Sequence, residues 1–247
     1  MKPQRRNLIG AGIVPFQVTD DNNVVFFLAR EKHVRQWRGS LKWSGFEGGA
    51  RAGETPIETA DREFYEETLG AQRSSSLCSD LRRRDYALEI ITSHPNQQQY
   101  VTYVKRFDDF FDSVRRFGRS RRWVETAVAL HKQIAQCKAE AVPQQTAPST
   151  IHDDDVDEAA LRLRDMRMRR HAVVMQLQEA CPQSVELTYA KDGLVDTVVI
   201  DDCYVEKDAV QPWTLTDIAR VLRSGVAEKV FRHSFIPILH VLQREFQ

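Results

Sequence analysis

Four charged residues that could act together on a substrate stand within one short segment, Arg62, Glu63, Glu66 and Glu67. On a helix the three glutamates occupy positions i, i+3 and i+4 and share one face. Like charges this close repel each other, so the grouping favours a bound cation. Carboxylate oxygens suit Mg²⁺ or Mn²⁺ better than zinc. The segment therefore predicts divalent-metal chemistry on a phosphate ester or anhydride, although any single Glu-Glu pair is more often a solvated acidic face.

A helix that could present these carboxylates is predicted from Thr55 onward. Thr55 suits an N-cap and Pro56 suits the first helical position. Ile57, Ala60 and Phe64 then recur at helical spacing and form an apolar stripe. The stripe predicts that the helix packs against a core and leaves its acidic face toward a loop.

The loop and helix together resemble the signature of the Nudix hydrolase family. Two departures stand at the ends of the motif: Leu69 occupies the place of the final glycine with Gly70 after it, and Glu47 with Gly48 replaces the usual glycine pair. The residues in register with the signature are Gly48, Glu54, Arg62, Glu63, Phe64, Glu66 and Glu67.

This resemblance implies a metal-dependent active site. It assigns Glu63, Glu66 and Glu67 to the metal, with the backbone carbonyl of Gly48 as a further ligand, and Mg²⁺ or Mn²⁺ as the cofactor. Arg62 would orient Glu66 by a charge-assisted hydrogen bond. Metal ions of this kind polarise a diphosphate and lower the pKa of an attacking water.

The general base is left open by the sequence. Related enzymes take it from the signature helix or from a later loop, so Glu66, Glu63 and the later carboxylates Glu206 and Asp208 are candidates. Taken singly, Glu206 and Asp208 are more often exposed loop residues.

Substrate contacts are predicted for Arg30 and Trp37. Arg30 ends a predicted strand where related enzymes place a basic residue facing the substrate, and a solvated strand-end arginine is the equal alternative. Trp37 could stack a nucleobase. Trp43 is better read as packing beneath the loop.

The fold class expected is α/β, or α+β, with a Nudix-like mixed sheet between helices. Residues 1–107 would form the first part of the core, with a hairpin from Ile9–Phe16 and Val24–Arg30. Residues 108–182 would be a helical insertion, because apolar residues recur there at helical spacing. Residues 183–247 would complete the core, the sheet resuming with Val185–Ala190 and Val195–Val205.

Two arginine-rich segments lie in the predicted insertion, and guanidinium groups suit phosphate oxygens. They could follow an RNA backbone or grip a polyphosphorylated ligand. The alternative is a pair of solvated helices neutralised by nearby aspartates. The first segment supplies the candidate substrate-binding residues Arg115, Arg116, Arg119 and Arg122.

The whole-chain composition excludes several classes. Lysine plus arginine and aspartate plus glutamate both total 35 in 247 residues, so no global charge field points to nucleic acid. The four cysteines show no paired metal-ligand spacing, which favours a reducing, cytoplasmic compartment over a zinc site. The first apolar run is too short for a membrane segment, so no membrane partner is expected.

Three functions compete. The leading one is hydrolysis of a small nucleoside diphosphate linked to another group. The second is hydrolysis of an mRNA cap, similar to the viral decapping branch of the family, or of an inositol pyrophosphate. The third is an inactive Nudix-fold module that binds RNA, nucleotide or protein, and the intact glutamates argue against it.

Overall fold

The computed structural model describes residues 7–72, 76–93, 98–141 and 153–247, which divide into two compact units. The first unit holds the described residues up to Gly118 together with Asp202–Gln247, and the second holds Arg119–Asp201. The elements in chain order are β1 (Asn7–Val18), β2 (Val24–Glu31), β3 (Trp43–Ser44), β4 (Phe46–Gly49), α1 (Pro56–Glu67), α2 (Leu77–Arg82), β5 (Leu88–Ser93), β6 (Gln98–Arg106), α3 (Phe110–Ala141), α4 (Asp153–Ala180), β7 (Val185–Tyr189), β8 (Val195–Ile200), β9 (Lys207–Thr214), α5 (Leu215–Arg223), α6 (Ala227–Val230) and α7 (Ile236–Glu245).

The first unit is built on a mixed sheet. Its strands lie in the order β3-β2-β1-β6-β5, with β4 paired to β1 and β9 paired to β2. β1 and β6 run parallel, whereas β1–β2, β5–β6 and β2–β9 are antiparallel. The predicted hairpin is therefore confirmed, and β9 brings the C-terminal part of the chain alongside β2.

Helices cover both faces of this sheet. Because side chains alternate along the buried strands, each strand contributes to the core on both faces. On β2, Val25 and Phe27 join the core cluster that contains Phe64 of α1. Phe26 and Leu28 point to the opposite cluster, which α5 and α7 complete. The expected α/β fold, a mixed sheet between helices, is confirmed.

The second unit contains most of α3, all of α4 and a two-stranded hairpin. Ala127, Leu130 and Ile134 are buried on α3 at the predicted helical spacing. Buried Arg170 of α4 donates hydrogen bonds to the carbonyls of Val195 (2.6 Å) and Asp196 (2.8 Å), which holds the hairpin against that helix.

The hairpin corrects one expectation from the sequence. The strands near residues 185 and 195 were expected to continue the core sheet, but β7 pairs only with β8 among the described strands. Strand propensity indicates extended structure without specifying the partner. The core sheet takes its last strand from β9 instead.

No helix among the described residues has the length and apolar character needed to span a bilayer.

Candidate active site

Helix α1 forms where local chemistry predicts it. The Thr55 hydroxyl accepts the Glu58 N–H while the Glu58 carboxylate accepts the Thr55 N–H, which makes a capping box. The turn that follows the helix contains two residues of positive φ, Leu69 at 53° and Gly70 at 66°. Leu69 thus takes the left-handed conformation that favours glycine, at a cost of about 1–2 kcal/mol. Its side chain is fully buried, which returns about 1.5–3 kcal/mol.

Arg62 is the centre of the polar face of this helix. Its guanidinium donates to both carboxylate oxygens of Glu54, at 2.8 Å and 3.0 Å. One terminal nitrogen lies 2.6 Å from Glu63 and 3.1 Å from Glu66, and the other donates to the carbonyl of Gly49 at 2.8 Å. The predicted bond to Glu66 is present, and Arg62 also joins the loop to the helix.

Glu63 and Glu66 are brought together by this arginine. Both residues are buried, at 8% and 5% exposure. Desolvation raises the pKa of Glu63, Arg62 opposes the shift, and the charges of Glu66 and Glu206 add to it. Arg51, whose side chain is 62% exposed, forms a second ion pair with Glu66 at 3.0 Å.

Gly48 lies directly against the Glu63 carboxylate. A Cβ atom placed on Gly48 would overlap that carboxylate, so only glycine leaves room for it. The structure therefore brings the Gly48 backbone and the Glu63 carboxylate together.

Glu67 has different partners from the other two glutamates. One of its oxygens accepts the Glu47 N–H at 2.7 Å, and the other lies 3.0 Å from the ammonium of Lys207. The residue is 1% exposed, and desolvation raises its pKa well above the ordinary value although Lys207 opposes the shift. Glu67 thus faces the interior, while Glu63 and Glu66 share Arg62.

The oxygen donors near Glu63 fit a hard cation. Glu63 and Glu66 are carboxylates removed from water, and a cation beside them would compensate for the desolvation. Within the described parts of the chain, however, no three Asp, Glu, His or Cys side chains are grouped as a metal cage. Arg62, Arg51 and Lys207 are the cations that contact the three glutamates.

The two later carboxylates differ in their surroundings. Asp208 accepts hydrogen bonds from Arg30 through both oxygens, at 2.7 Å and 3.2 Å. Glu206 has an exposed side chain, yet desolvation raises its pKa, opposed by Lys207 and reinforced by Glu31 and Glu66. Glu206 therefore lies in the electric field of the signature carboxylates, whereas Asp208 is held by Arg30.

The predicted substrate contacts are placed as follows. The Arg30 guanidinium lies 5.8 Å from the ring centre of Trp43, and Trp43 packs edge-on against Trp213. Trp37 is 42% exposed, and Arg232 lies 5.7 Å from its ring centre. Trp37 therefore offers an aromatic surface to solvent.

The arginines of α3 are partly neutralised along their own helix. Arg115 and Arg116 pair with Asp112 at 3.1 Å and 3.2 Å. No ion pair joins Arg119 or Arg122 to an acidic residue in the described ranges. This arrangement matches the solvated-helix alternative for the first two arginines.

A buried ionic network beneath the signature was missed by the sequence reasoning. Lys207 is 1% exposed and contacts Glu31 at 2.5 Å, while Arg232 contacts Glu31 at 3.0 Å and Glu47 at 3.2 Å. The one available signal was a lysine directly before Asp208 at the start of a short apolar run, and that signal is weak.

Comparison with known proteins identifies the family. The NUDIX domain model matches residues 7–172, more than half of the chain. A search of curated proteins found no match.

Solved structures with some likeness include the Nudix hydrolase RenU from M. smegmatis (TM-score 0.32, 14% identity, 42% of this chain and 63% of that one). Two others are an Ap4A hydrolase from C. elegans (0.29, 14%, 40% and 66%) and a bifunctional NMN adenylyltransferase/ADP ribose pyrophosphatase from Francisella tularensis, complexed with AMP and a Mn ion (0.28, 15%, 43% and 29%). The chain spans less than two thirds of the length of each.

The family match covers the loop, α1 and strands β1–β6, and it agrees with the signature residues gathered around Arg62. The chain belongs to the Nudix family.

Proposed function

We propose that the protein hydrolyses the diphosphate bond of a nucleoside diphosphate linked to another group, with Mg²⁺ or Mn²⁺ as cofactor. The observation that carries the proposal is the Arg62 centre, which holds Glu54, Glu63 and Glu66 within hydrogen-bonding distance of one guanidinium. Ion pairs that only stabilise a helix do not require a buried carboxylate, here that of Glu63, to lie against a glycine that has no room for a side chain.

Each residue then has a role in the reaction. Glu63, Glu66, Glu67 and the Gly48 carbonyl would hold the cation, which supplies polarisation of the phosphate and a lowered pKa of bound water. Arg62 keeps the carboxylates of Glu63 and Glu66 at fixed positions. Glu206 accepts the proton when water attacks phosphorus, because its raised pKa suits a general base and its side chain reaches solvent. The bond from phosphorus to the bridging oxygen breaks, and the leaving phosphate carries the electron pair.

Trp37 is our candidate for stacking the base of the nucleotide, since its ring is partly exposed with Arg232 nearby. Arg30 is the weaker candidate for a phosphate contact, since Asp208 already neutralises it. We also propose that residues 108–182 are an insertion that interrupts the Nudix core, whose two parts are residues 1–107 and 183–247.

The test is turnover of a substrate panel with Mg²⁺ or Mn²⁺. The panel contains nucleoside diphosphate sugars, ADP-ribose, dinucleoside polyphosphates, capped RNA and inositol pyrophosphates. We expect Glu66→Gln to reduce turnover at least about a hundredfold while the protein stays folded. Glu58→Gln is the matched control, because Glu58 lies on the same helix and a glutamine there keeps the capping box. Metal-independent turnover, or none on any member of the panel, would refute the proposal.

The arginine-rich helix separates the leading function from the RNA alternative. If the substrate is a small diphosphate, changing Arg115, Arg116, Arg119 and Arg122 to alanine should leave its turnover within about twofold, because a small ligand needs no extended contact to a phosphate backbone. Capped RNA as the preferred substrate, with weaker and less salt-dependent binding in this variant, would favour the alternative.

A further inference from the structure

Arg51 is an exposed arginine whose guanidinium reaches the signature helix. Its side chain is 62% exposed, and one terminal nitrogen lies 3.0 Å from the Glu66 carboxylate. Within the described ranges this is the one ion pair that Arg51 makes. Exposed ion pairs contribute little to stability, so the guanidinium can leave Glu66 at a small cost.

The backbone of Arg51 is fixed, in contrast to its side chain. The Arg51 N–H donates to the Glu54 carboxylate at 2.8 Å, and the Glu54 N–H donates to the Arg51 carbonyl at 3.1 Å. Glu54 is in turn held through both of its oxygens by Arg62. The loop therefore anchors the main chain of Arg51 beside the polar face of α1, while the guanidinium can turn.

Glu66 accepts one guanidinium on each of its oxygens. Arg51 contacts Oε1 at 3.0 Å, and Arg62 contacts Oε2 at 3.1 Å. The Arg62 side chain is 16% exposed and cannot leave without breaking its bonds to Glu54 and Glu63. A cation that reaches Glu66 from solvent therefore takes the place of Arg51.

The displaced guanidinium would stay close to that cation, because the loop holds its main chain. A phosphate group on the cation carries negatively charged oxygens, and the planar guanidinium can bond two of them at once. Phosphate oxygens would thus replace the carboxylate that Arg51 gives up. This exchange gives the guanidinium a partner of the same charge in both states of the site.

We propose that Arg51 is a substrate-binding residue, held on Glu66 until the cation displaces it and then bonded to a phosphate of the substrate. The proposal rests on the proposed function, because it requires both the cation and a phosphate substrate. Arg51 lies among the five residues between Gly48 and Glu54, outside the positions that match the signature. The role therefore comes from the contacts of this chain.

The first test is Mn²⁺ binding by calorimetry with the whole chain and no substrate. Arg51→Met should tighten binding about two- to fivefold, because an exposed ion pair no longer competes for Glu66. Arg82→Met is the matched control and should leave the affinity unchanged, since Arg82 is 61% exposed and pairs with Glu58 on the same helix. Unchanged or weaker binding in Arg51→Met, or equal tightening in both variants, would overturn the competition for Glu66.

The second test is steady-state turnover of the best panel substrate at saturating Mn²⁺. Arg51→Met should raise KM about tenfold and change kcat less than about threefold, because the phosphate contact is made before the reaction. Arg51→Lys should keep the wild-type Mn²⁺ affinity but recover only part of the KM, since an ammonium retains the charge without the planar fork. Arg82→Met should keep the wild-type KM.

The outcomes separate this proposal from the proposed function. Tighter Mn²⁺ binding together with a raised KM supports the role of Arg51, because loss of a merely structural contact would not move the two affinities in opposite directions. A wild type that turns over its substrate with Mn²⁺, beside an Arg51→Met variant of unchanged KM, would overturn the role of Arg51 alone. A wild type that cleaves no member of the panel would overturn both.

Discussion

Replacing Arg62 by methionine should test the organisation of the site more directly than any other single change. Methionine keeps much of the length of the side chain and removes its charge and donors. Three carboxylates, Glu54, Glu63 and Glu66, then lose their common partner. The Gly49 carbonyl loses a donor at 2.8 Å as well.

The expected loss of stability follows from burial. The Arg62 side chain is 16% exposed, and removing one partner of a buried ion pair costs about 3–5 kcal/mol. Partial exposure places Arg62→Met at the lower end, about 3 kcal/mol at pH 7. About 1 kcal/mol of this belongs to the hydrogen bond with Gly49 and does not depend on pH.

The remaining loss depends on pH with a definite sign. Arg62 is the main reason that the pKa of Glu54 is lowered from 4.5 to about 2. A lowered pKa stabilises the fold above pH 4.5, and that stabilisation disappears as the pH falls through about 2. The pKa of Glu63, already raised by desolvation, would rise further without Arg62. Protonation of Glu63 in acid therefore also removes part of the destabilisation of the variant. The difference between wild type and variant should therefore shrink toward about 1 kcal/mol as the pH is lowered from 7 toward 2.

Urea unfolding of both proteins at pH 7, 5, 4 and 3 measures this difference. Arg51→Met is the matched control, because Arg51 also contacts Glu66 but is 62% exposed, so its loss should stay below about 1 kcal/mol. Equal losses in the two variants, or an Arg62→Met loss that grows on acidification, would refute the reasoning.

Two further predictions concern the loop and the strand end. Gly48→Ala should lower turnover about a hundredfold because its Cβ displaces the Glu63 carboxylate, whereas Gly49→Ala, with only an ordinary contact, should stay within about twofold in the same kinetic assay. Arg30 and Asp208 should show a coupling of about 0.5–1 kcal/mol in a double-mutant cycle of unfolding, since the pair is partly exposed; no coupling would mean that the bidentate contact does not persist in solution.

Local rules account for the part of the site that the sequence predicted. The Thr55 cap, Pro56 and the spacing of the glutamates all act within a few residues, so helix α1 and its polar face follow from neighbouring positions. The partner of Arg62 at Glu66 lies one helical turn away and was predicted for the same reason.

Features set by tertiary packing were beyond that reasoning. Leu69 adopts a positive φ that its residue type disfavours, and its complete burial is visible only in the folded chain. The strands β7 and β8 were recognised as extended segments but not as each other's partners, and Arg170 of α4 bonds to the carbonyls of β8.

The fate of Glu67 shows why residue spacing alone was insufficient. Positions i, i+3 and i+4 place three carboxylates on one side of a helix, but that side spans an arc wide enough to face both the loop and the interior. The cation that Glu67 meets comes from a distant part of the chain, because Lys207 lies 176 residues from Glu31, its other partner. A signature motif thus specifies that charges cluster on α1, whereas the folded chain determines which cation each of them meets, Lys207 of β9 for Glu67 and Arg62 for Glu63 and Glu66.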